Sequence, residues 1–391
     1  MAPSFRAPNT PVYRASTVLF DSIAHLEEVH RANRAGDPDP KMYGTFGTPT
    51  TDALRDAVLA AEGGAGVVFA PSGLGAVAVA LLTVARTGAH LLVPDSVYGP
   101  TRELCDKTLS RLGVETEYYD PMVGAEIVQL LRASTCAVLL ESPGSYTFEV
   151  QDVPAISRAI RSSGHPATIL MDNAWGSPGL FRPLDHGVDI SIIPLTKYWG
   201  GHADLLLGAV VASATSWSAL RDTAVALGSC TNGDEAYLAT RGARSVEIRL
   251  RQHERSGLAV AKWLQGQRRV GQVLHVAFPD CPGHDVWRRD YAGSNGLFAF
   301  RLLTPAGTAA TKDEVAVFVD RLVQTGLFGL GYSWGGFESL VMPAVLPGGA
   351  NITRTVSTAS LENLVRLHIG LEPVERLVAA LEFALGSALT P

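Results

Sequence analysis

The chain has 391 residues, 47% of them hydrophobic and 18% charged, so it can bury a large core and form about two or three domains. Its net charge of -6 comes without clusters of Lys or Arg, which argues against nucleic acid or an anionic membrane surface as a partner. The four cysteines are far apart and lack CxxC spacing, so we predict neither a disulfide framework nor a metal site, and we expect a cytoplasmic protein.

The N-terminal residues and the apolar runs give no indication of export or of a membrane span. Segment 1–14 contains prolines and no apolar run of signal-peptide length. Apolar stretches such as 76–85 fall well short of the roughly 18 residues that a membrane helix needs. We therefore expect a soluble protein with no membrane partner.

An irregular arm comes first in the chain and is followed by alternating helices and strands. Residues 1–50 are Pro-rich and weakly periodic, which suits an arm that reaches over another surface. Beyond residue 50, helical patterns alternate with short runs that are apolar throughout, which indicates a mostly parallel sheet covered on both faces. The predicted helices cover about 52–61, 74–86, 102–112, 125–132 and 153–162, and the predicted strands 67–70, 90–94, 136–141, 167–172, 189–195 and 205–212.

The pattern changes after residue 243. A long helical pattern at 245–265 is followed by strand-like LFAFRLL, helical DEVAVFVDRLV, strand-like VRLHIGL and a last helix at 373–386. This order predicts a smaller α+β domain. The predicted fold class is therefore α/β, with an arm at 1–50, a sheet domain at 51–243 and a C-terminal domain at 244–391.

A glycine-containing loop follows the first predicted strand. Ligands of open α/β sheets gather at the carboxyl ends of the strands, where helix N-termini favour anions. Loop 71–75 reads Pro-Ser-Gly-Leu-Gly and opens a helix, so its backbone N–H groups could cradle a phosphate. Such a turn is more often structural. It matches neither the dinucleotide GxGxxG pattern nor the Walker pattern, so neither NAD nor ATP is favoured.

Four further residues lie where their side chains need a special partner. Asp172 ends an apolar strand and could keep a pyridine nitrogen protonated or cap the next turn. Lys197 also follows an apolar strand and would be a nucleophile if its pKa were lowered, whereas an isolated Lys is usually a solvated surface residue. Tyr98 could stack on a cofactor, carry a proton or simply pack in a turn. Arg366 interrupts an apolar run and needs an anion, either a substrate carboxylate or an internal acid.

Ordered motifs over nearly the whole chain resemble the Cys/Met-metabolism family of pyridoxal 5′-phosphate (PLP) enzymes, which have fold type I. Within this family, segments 249–256 and 283–300 and the Ser-Trp-Gly-Gly stretch are similar to the bacterial cystathionine β-lyase branch. The motifs that carry the resemblance are Ser72-Gly73, Tyr98, ESPGS at 141–145, DNAW at 172–175, TKY at 196–198, GYSWGGFESL at 331–340 and RLHIGLE at 366–372.

The resemblance implies a role for each matching residue. Lys197 would hold PLP as a Schiff base and move the substrate proton, Asp172 would bind the pyridine nitrogen, and Tyr98 would stack on the ring. The family forms dimers that pair into tetramers, with active sites at the dimer interface. The phosphate would be held by Ser72, Gly73, Leu74 and Thr196 together with Tyr43 from the neighbouring subunit, and the substrate α-carboxylate by Arg366, Ser333 and Trp334.

The implied activity is a carbon–sulfur β-lyase, which converts cystathionine or a related S-substituted cysteine to a thiol, pyruvate and ammonia. The chain departs from the family in the arm, where the two arginines common in this branch are replaced by Thr45 and Phe46. This loss could weaken PLP binding, and it favours a more apolar substrate side chain.

Three other functions are compatible with the same resemblance. An amino-acid racemase or epimerase would use the same residues, and the sequence leaves it open. A γ-lyase is disfavoured by Trp334. A PLP-fold binding protein without turnover is disfavoured because Lys197, Asp172, Tyr98 and Arg366 are all retained.

Overall fold

The computed structural model describes residues 7–35, 41–344 and 363–386. Two sheets, one of seven strands and one of five, form the frame of this part of the chain. The α-helices around them are α1 (Ile23–Arg34), α2 (Pro49–Glu62), α3 (Gly73–Val84), α4 (Gly99–Glu103), α5 (Val153–Ser162), α6 (Trp217–Ala226), α7 (Gly233–Ala243), α8 (Val246–Gln265), α9 (His284–Asp290), α10 (Lys312–Gln324) and α11 (Val374–Leu385).

The larger sheet has the predicted, mostly parallel organisation. Its strands follow the order β1-β7-β6-β5-β4-β2-β3, and only β7 runs against its neighbours in the described sheet. Fully buried strands such as β4 and β7 have helices on both faces, as their continuous apolar sequences require. The strands are β1 (Gly66–Ala70), β2 (His90–Pro94), β3 (Glu115–Tyr119), β4 (Thr135–Glu141), β5 (Thr168–Asp172), β6 (Ile190–Pro194) and β7 (Gly208–Ala212).

Three local predictions for this half need correction. Strand β3 was not predicted, because its sequence ETEYY lacks an apolar run; it lies at the sheet edge and is mostly half-buried. The helix expected at 102–112 forms as α4 followed by a π-helical turn, Leu104–Leu109. The helix expected at 125–132 is a 3₁₀ segment, Gly124–Leu130.

The smaller sheet confirms the strand-like and helical patterns near the C-terminus. Its strand order is β10-β11-β12-β9-β8, and β12 pairs antiparallel with both β9 and β11. Helices α8, α10 and α11 cover a core that includes the fully buried Phe298, Phe300 and Phe318. The strands are β8 (Val270–Leu274), β9 (Leu297–Leu302), β10 (Phe328–Leu330), β11 (Ser339–Pro343) and β12 (Leu364–His368).

The predicted arm contains helix α1, and no residue of this helix is buried. The arm is attached to the larger sheet's helices through the Arg14–Asp234 ion pair of 2.6 Å and the 2.8 Å bond from the Tyr13 N–H to Thr50 Oγ1. The domain boundaries at residues 50 and 243 stay predictions. Within the described ranges, no helix is both long and apolar enough to cross a membrane.

Candidate active site

The ends of the parallel strands bring the predicted polar residues to one edge of the larger sheet. Glu141 and Asp172 are register partners at the ends of β4 and β5. Lys197 comes three residues after β6 ends at Pro194, and Tyr98 four residues after β2 ends at Pro94. Because parallel strands end at the same edge, residues far apart in sequence meet there.

Asp172 is a buried carboxylate in need of a partner. It is 5% exposed and accepts the Ala174 backbone N–H at 3.0 Å. No cation of the described ranges lies in ion-pair contact with it. Burial raises the pKa of Asp172 to about 6, against the lowering effects of the Ala174 N–H and the Lys197 charge. Above that pH the carboxylate is ionised, and a protonated ring nitrogen would satisfy it.

Lys197 has the properties of a reactive amine. Its Nζ donates to Ser333 Oγ at 2.9 Å and lies 5.1 Å from the centre of the Trp334 ring. Burial and the charge of Arg366 lower the pKa of Lys197 to about 8, although Asp172 acts in the opposite direction. The neutral amine is therefore more populated at neutral pH than in a solvated lysine, as a nucleophile or base requires.

The start of α3 is a candidate phosphate cradle. Ser72 caps this helix, since its Oγ accepts the Gly75 N–H at 3.0 Å, and its own hydroxyl hydrogen remains able to donate. A Cβ at Gly73 would lie 2.8 Å from Pro194 Cβ, so only glycine fits against the end of β6. The first amides of the helix, including that of the partly exposed Leu74, are oriented to receive an anion.

Thr196, which was predicted to help bind the phosphate, has a hydroxyl that is already hydrogen-bonded to the backbone of Leu207. Its Oγ1 accepts the Leu207 N–H at 3.0 Å and donates to the Leu207 carbonyl at 3.2 Å. To bind a phosphate, the hydroxyl must redirect its hydrogen away from Leu207.

Tyr98 is positioned by its backbone, and its ring is left accessible. Its N–H donates to Glu141 Oε2 at 2.9 Å, and 46% of the residue is exposed. Burial, Asp172 and Glu141 raise the pKa of Tyr98, with Arg366 opposing them, so the phenol keeps its proton. The sequence reasoning had given Glu141 no role, and this bond supplies one.

Arg366 of β12 contacts Ser333, which lies in the loop between β10 and β11. Arg366 Nη2 donates to the Ser333 carbonyl at 3.3 Å, and its guanidinium carbon lies 5.0 Å from the centre of the Tyr146 ring. No carboxylate in the described part of the chain forms an ion pair with Arg366, so the internal-acid alternative finds no partner there. A substrate carboxylate remains the candidate anion. Tyr146, to which the sequence analysis assigns no role, has a backbone φ of 63°.

A cavity of about 520 Å³ adjoins these groups. The predicted residues Thr196, Ser333 and Trp334 line it, together with acidic residues that include Asp204 and Glu338. Lys197 and Arg366 are not among the residues that line it. The space is large enough for the side chain of an amino-acid substrate.

Tyr43 is the predicted site residue that is not brought to this edge. It lies in the arm, is 50% exposed, and forms an isolated β-bridge with Thr17. Its predicted role needs a second subunit and stays a prediction.

A buried network behind the sheet edge also escaped the sequence reasoning. Ser177 Oγ donates to Glu62 Oε1 at 2.5 Å and accepts the Trp199 indole N–H at 2.8 Å. Asn173 donates to the Phe181 carbonyl at 2.9 Å. Burial raises the pKa of Glu62 to about 7. The network ties α2 to the loops that follow Asp172 and Lys197.

The residues at this edge of the sheet match the functional groups of PLP one by one. A buried acid can hold the pyridine nitrogen, an amine of lowered pKa can take the aldehyde, a helix N-terminus can take the phosphate, and an accessible ring can stack on the pyridine. The fold and the site are those of a PLP-dependent enzyme.

Comparison with known proteins defines the family. The chain belongs to the Cys/Met metabolism PLP-dependent enzymes, whose sequence profile matches residues 2–386. It is 48% identical to a Rhizobium johnstonii protein provisionally named a cystathionine beta-lyase, with 97% of this chain and 92% of that one covered. The cystathionine beta-lyase MetC of Escherichia coli is 42% identical, with coverages of 96% and 93%.

A further sequence relative and a solved structure are also similar to this chain. An L-alanine/L-glutamate racemase of Wolbachia pipientis wMel is 33% identical, over 96% of this chain and 92% of that one. The crystal structure of a cystathionine gamma synthase from Xanthomonas oryzae pv. oryzae, in complex with aminoacrylate and cysteine, superposes with a TM-score of 0.83 at 31% identity, covering 97% of this chain and 93% of that one. The predicted family, fold type and cofactor are thus confirmed.

Proposed function

We propose that this enzyme cleaves the Cβ–S bond of L-cystathionine or a related S-substituted cysteine, releasing a thiol, pyruvate and ammonia. Carbon–sulfur β-lyase activity agrees with the names of the relatives at 42% and 48% identity. The observation that carries the proposal is the meeting of Lys197 and Arg366 on one residue, Ser333. Lys197 Nζ donates to its hydroxyl at 2.9 Å, and Arg366 donates to its carbonyl at 3.3 Å.

Arg366 and Ser333 would orient the substrate. A guanidinium without an internal carboxylate partner can bind the substrate α-carboxylate through two parallel N–H···O bonds. With the carboxylate held there, Cα would face Lys197, and the substituent on Cβ would extend into the cavity beside Trp334. Burial of this region strengthens the binding of charge because little water competes.

Lys197 would act as the base and Asp172 as the fixed charge. When bound, PLP supplies an electron sink that lowers the barrier to removing the Cα proton. Once the substrate amine has taken the place of Lys197 on the cofactor, the freed Lys197 Nζ would take that proton, the Cβ–S bond would break, and sulfur would leave with the electron pair and gain a proton. Asp172 would keep the ring nitrogen of bound PLP protonated throughout. One water molecule completes the balance as the elimination product hydrolyses to pyruvate and ammonia.

We also propose that Tyr43 of the arm completes the phosphate site of a neighbouring subunit in a homo-oligomer. Large apolar side chains of the arm, such as Leu19 at 86% exposed and Ile23 at 70% exposed, support a contact that covers them. Sedimentation of the purified protein at micromolar concentration tests this, and a monomeric species would contradict it. A cytoplasmic location stays a prediction from the cysteine pattern.

A second candidate function is amino-acid racemisation, favoured by the Wolbachia relative. One experiment separates the candidates. PLP-loaded protein is incubated in deuterated water with L-cystathionine and, in parallel, with L-alanine and L-glutamate, and NMR follows pyruvate, 2-oxobutyrate and α-deuterium. Lys197→Ala protein serves as the control for cofactor chemistry without the base.

The β-lyase proposal expects pyruvate from cystathionine. Appearance of 2-oxobutyrate instead would place the cleavage at Cγ. Deuterium at Cα, with loss of chirality and without any keto acid, would establish a racemase and contradict the proposal.

A further inference from the structure

Two buried histidines lie behind Lys197 and have no part in the chemistry described above. His253 is 0% exposed and His368 is 1% exposed, and their ring centres are 5.3 Å apart. Both pack around Tyr198, the residue next to the reactive lysine, with ring-centre distances of 5.2 Å and 5.9 Å. Burying an imidazole removes its hydrogen bonds with water, so its ring nitrogens need hydrogen-bond partners within the protein.

His368 contacts the same segment of chain as the proposed carboxylate-binding arginine. Arg366 and His368 are two residues apart on β12, so their side chains leave the same face of the strand. Arg366 donates to the Ser333 carbonyl, and the Gly335 N–H donates to His368 Nε2 at 3.1 Å. The two side chains therefore hold segment 333–336 from one side.

Segment 333–336 has a conformation that needs such support. Ser333 has a φ of 85°, a backbone region that non-glycine residues rarely adopt. Gly335 has a φ of 89°, and a Cβ there would lie 2.8 Å from the backbone nitrogen of Tyr198. Because Ser333 Oγ lies 2.9 Å from Lys197 Nζ, the place of this segment also sets the surroundings of the reactive amine.

The hydrogen-bond partners determine the protonation of both rings. His253 Nδ1 lies 2.9 Å from the Ile369 carbonyl, which can only accept, so Nδ1 carries the proton and Nε2 is an acceptor. His368 Nε2 lies 3.1 Å from both the Gly335 nitrogen and the Gly336 oxygen, and one neutral ring nitrogen cannot serve both.

The Nδ1–H tautomer of His368 pairs the Gly335 N–H and leaves the Gly336 carbonyl without this donor. A buried backbone N–H without an acceptor is rarer in proteins than a buried carbonyl without a donor, which favours this tautomer. In this form Nε2 accepts the Gly335 N–H, and Nδ1–H offers a donor while His253 Nε2 offers an acceptor. Neither of these last two atoms has a hydrogen-bond partner in the described part of the chain. The other tautomer would strand the Gly335 N–H and leave an acceptor on both rings.

We propose that His368, backed by His253, is a positioning residue that holds segment 333–336 as a neutral hydrogen-bond acceptor and so sets carboxylate binding at Arg366 and Ser333. Burial lowers the pKa of His368 to about 3 and that of His253 to about 4, so both rings stay neutral where the enzyme works. The inference rests on the carboxylate-binding part of the proposed function and not on the leaving group.

The test uses L-alanine, which has the α-carboxylate but no leaving group at Cβ, and follows its binding through the absorption of bound PLP. His368→Phe keeps a buried ring but leaves the Gly335 N–H unpaired, and we expect alanine binding at least about tenfold weaker. His368→Gln restores an acceptor near the position of Nε2 and should return the affinity to within about threefold of the parent protein.

His275→Phe is the matched control. His275 is 1% exposed and accepts a single backbone N–H, that of Ala277, at 3.1 Å, away from segment 333–336. We expect its thermal stability to fall while alanine binding stays within about twofold. Equal losses of affinity in His275→Phe and His368→Phe would overturn the proposal, and so would failure of His368→Gln to restore binding.

Two further measurements keep the outcomes distinct. If Arg366→Lys leaves alanine binding unchanged, the carboxylate site itself is misplaced; if Arg366→Lys weakens binding and His368→Phe does not, only the present inference fails. Should His368→Phe not fold, ¹⁵N NMR of the holoenzyme labelled at histidine nitrogen reads the tautomer without mutation. An Nδ1–H form of His368 supports the proposal, and an Nε2–H form overturns it.

Discussion

The two sheets contribute to the site in different ways. The larger sheet presents Asp172 and Lys197 close to the ends of their strands: Asp172 is the last residue of β5, and Lys197 comes three residues after β6 ends. The smaller sheet presents Arg366 from within β12, and its working contact is with Ser333, 33 residues away. The first arrangement places reactive groups by topology alone, whereas the second depends on how a loop folds back onto a strand. We therefore expect changes in the larger sheet to affect chemistry and changes in the smaller sheet to affect recognition.

The largest effect should come from Lys197→Ala. Loss of the only proposed base and cofactor anchor should reduce turnover by about 10³-fold or more. Mass spectrometry after borohydride reduction should find no covalently retained PLP. Lys262→Ala, which removes an exposed lysine of α8, is the control and should keep both turnover and bound cofactor. Substantial turnover by Lys197→Ala would contradict the role given to the larger sheet.

Arg366→Lys should separate recognition from chemistry. A lysine cannot make two parallel bonds to a carboxylate, so the KM for the substrate should rise about 10- to 100-fold while kcat changes by less than about threefold. Arg301→Lys is a matched control, because Arg301 lies on the neighbouring strand β9 opposite Leu364 and its burial likewise lowers its pKa. A fall in kcat without a rise in KM would contradict the assignment of recognition to the smaller sheet.

The smallest expected effect is an electrostatic one that links the sheets. Lys197 reacts as the neutral amine. Burial and, to a smaller extent, the positive charge of Arg366 lower its pKa from the usual 10.5 to about 8. The rate at which PLP-free protein captures PLP should therefore rise through a midpoint near pH 8. Arg366→Gln removes a positive charge that disfavours the protonated amine, so the pKa and the midpoint should move to higher pH. Arg301→Gln should leave the midpoint in place, and a downward shift in Arg366→Gln would refute the sign.

Much of the larger sheet and its site could be predicted from the sequence, because continuous apolar strands, helical periodicity and polar residues at strand ends are local signals. These signals placed Asp172 and Lys197 correctly at the ends of strands. Edge strand β3 was not predicted because its sequence ETEYY has no apolar run.

The tertiary structure alone decided how these residues meet. The register of Glu141 with Asp172, the positive φ of Tyr146 and Ser333, and the bond from Gly335 to His368 depend on segments far apart in the chain. The sequence could indicate that Arg366 needs an anion, but not that the described structure leaves it without an internal carboxylate. Local patterning therefore determined the scaffold and the reactive groups, whereas packing between distant segments determined the geometry that turns those groups into a site.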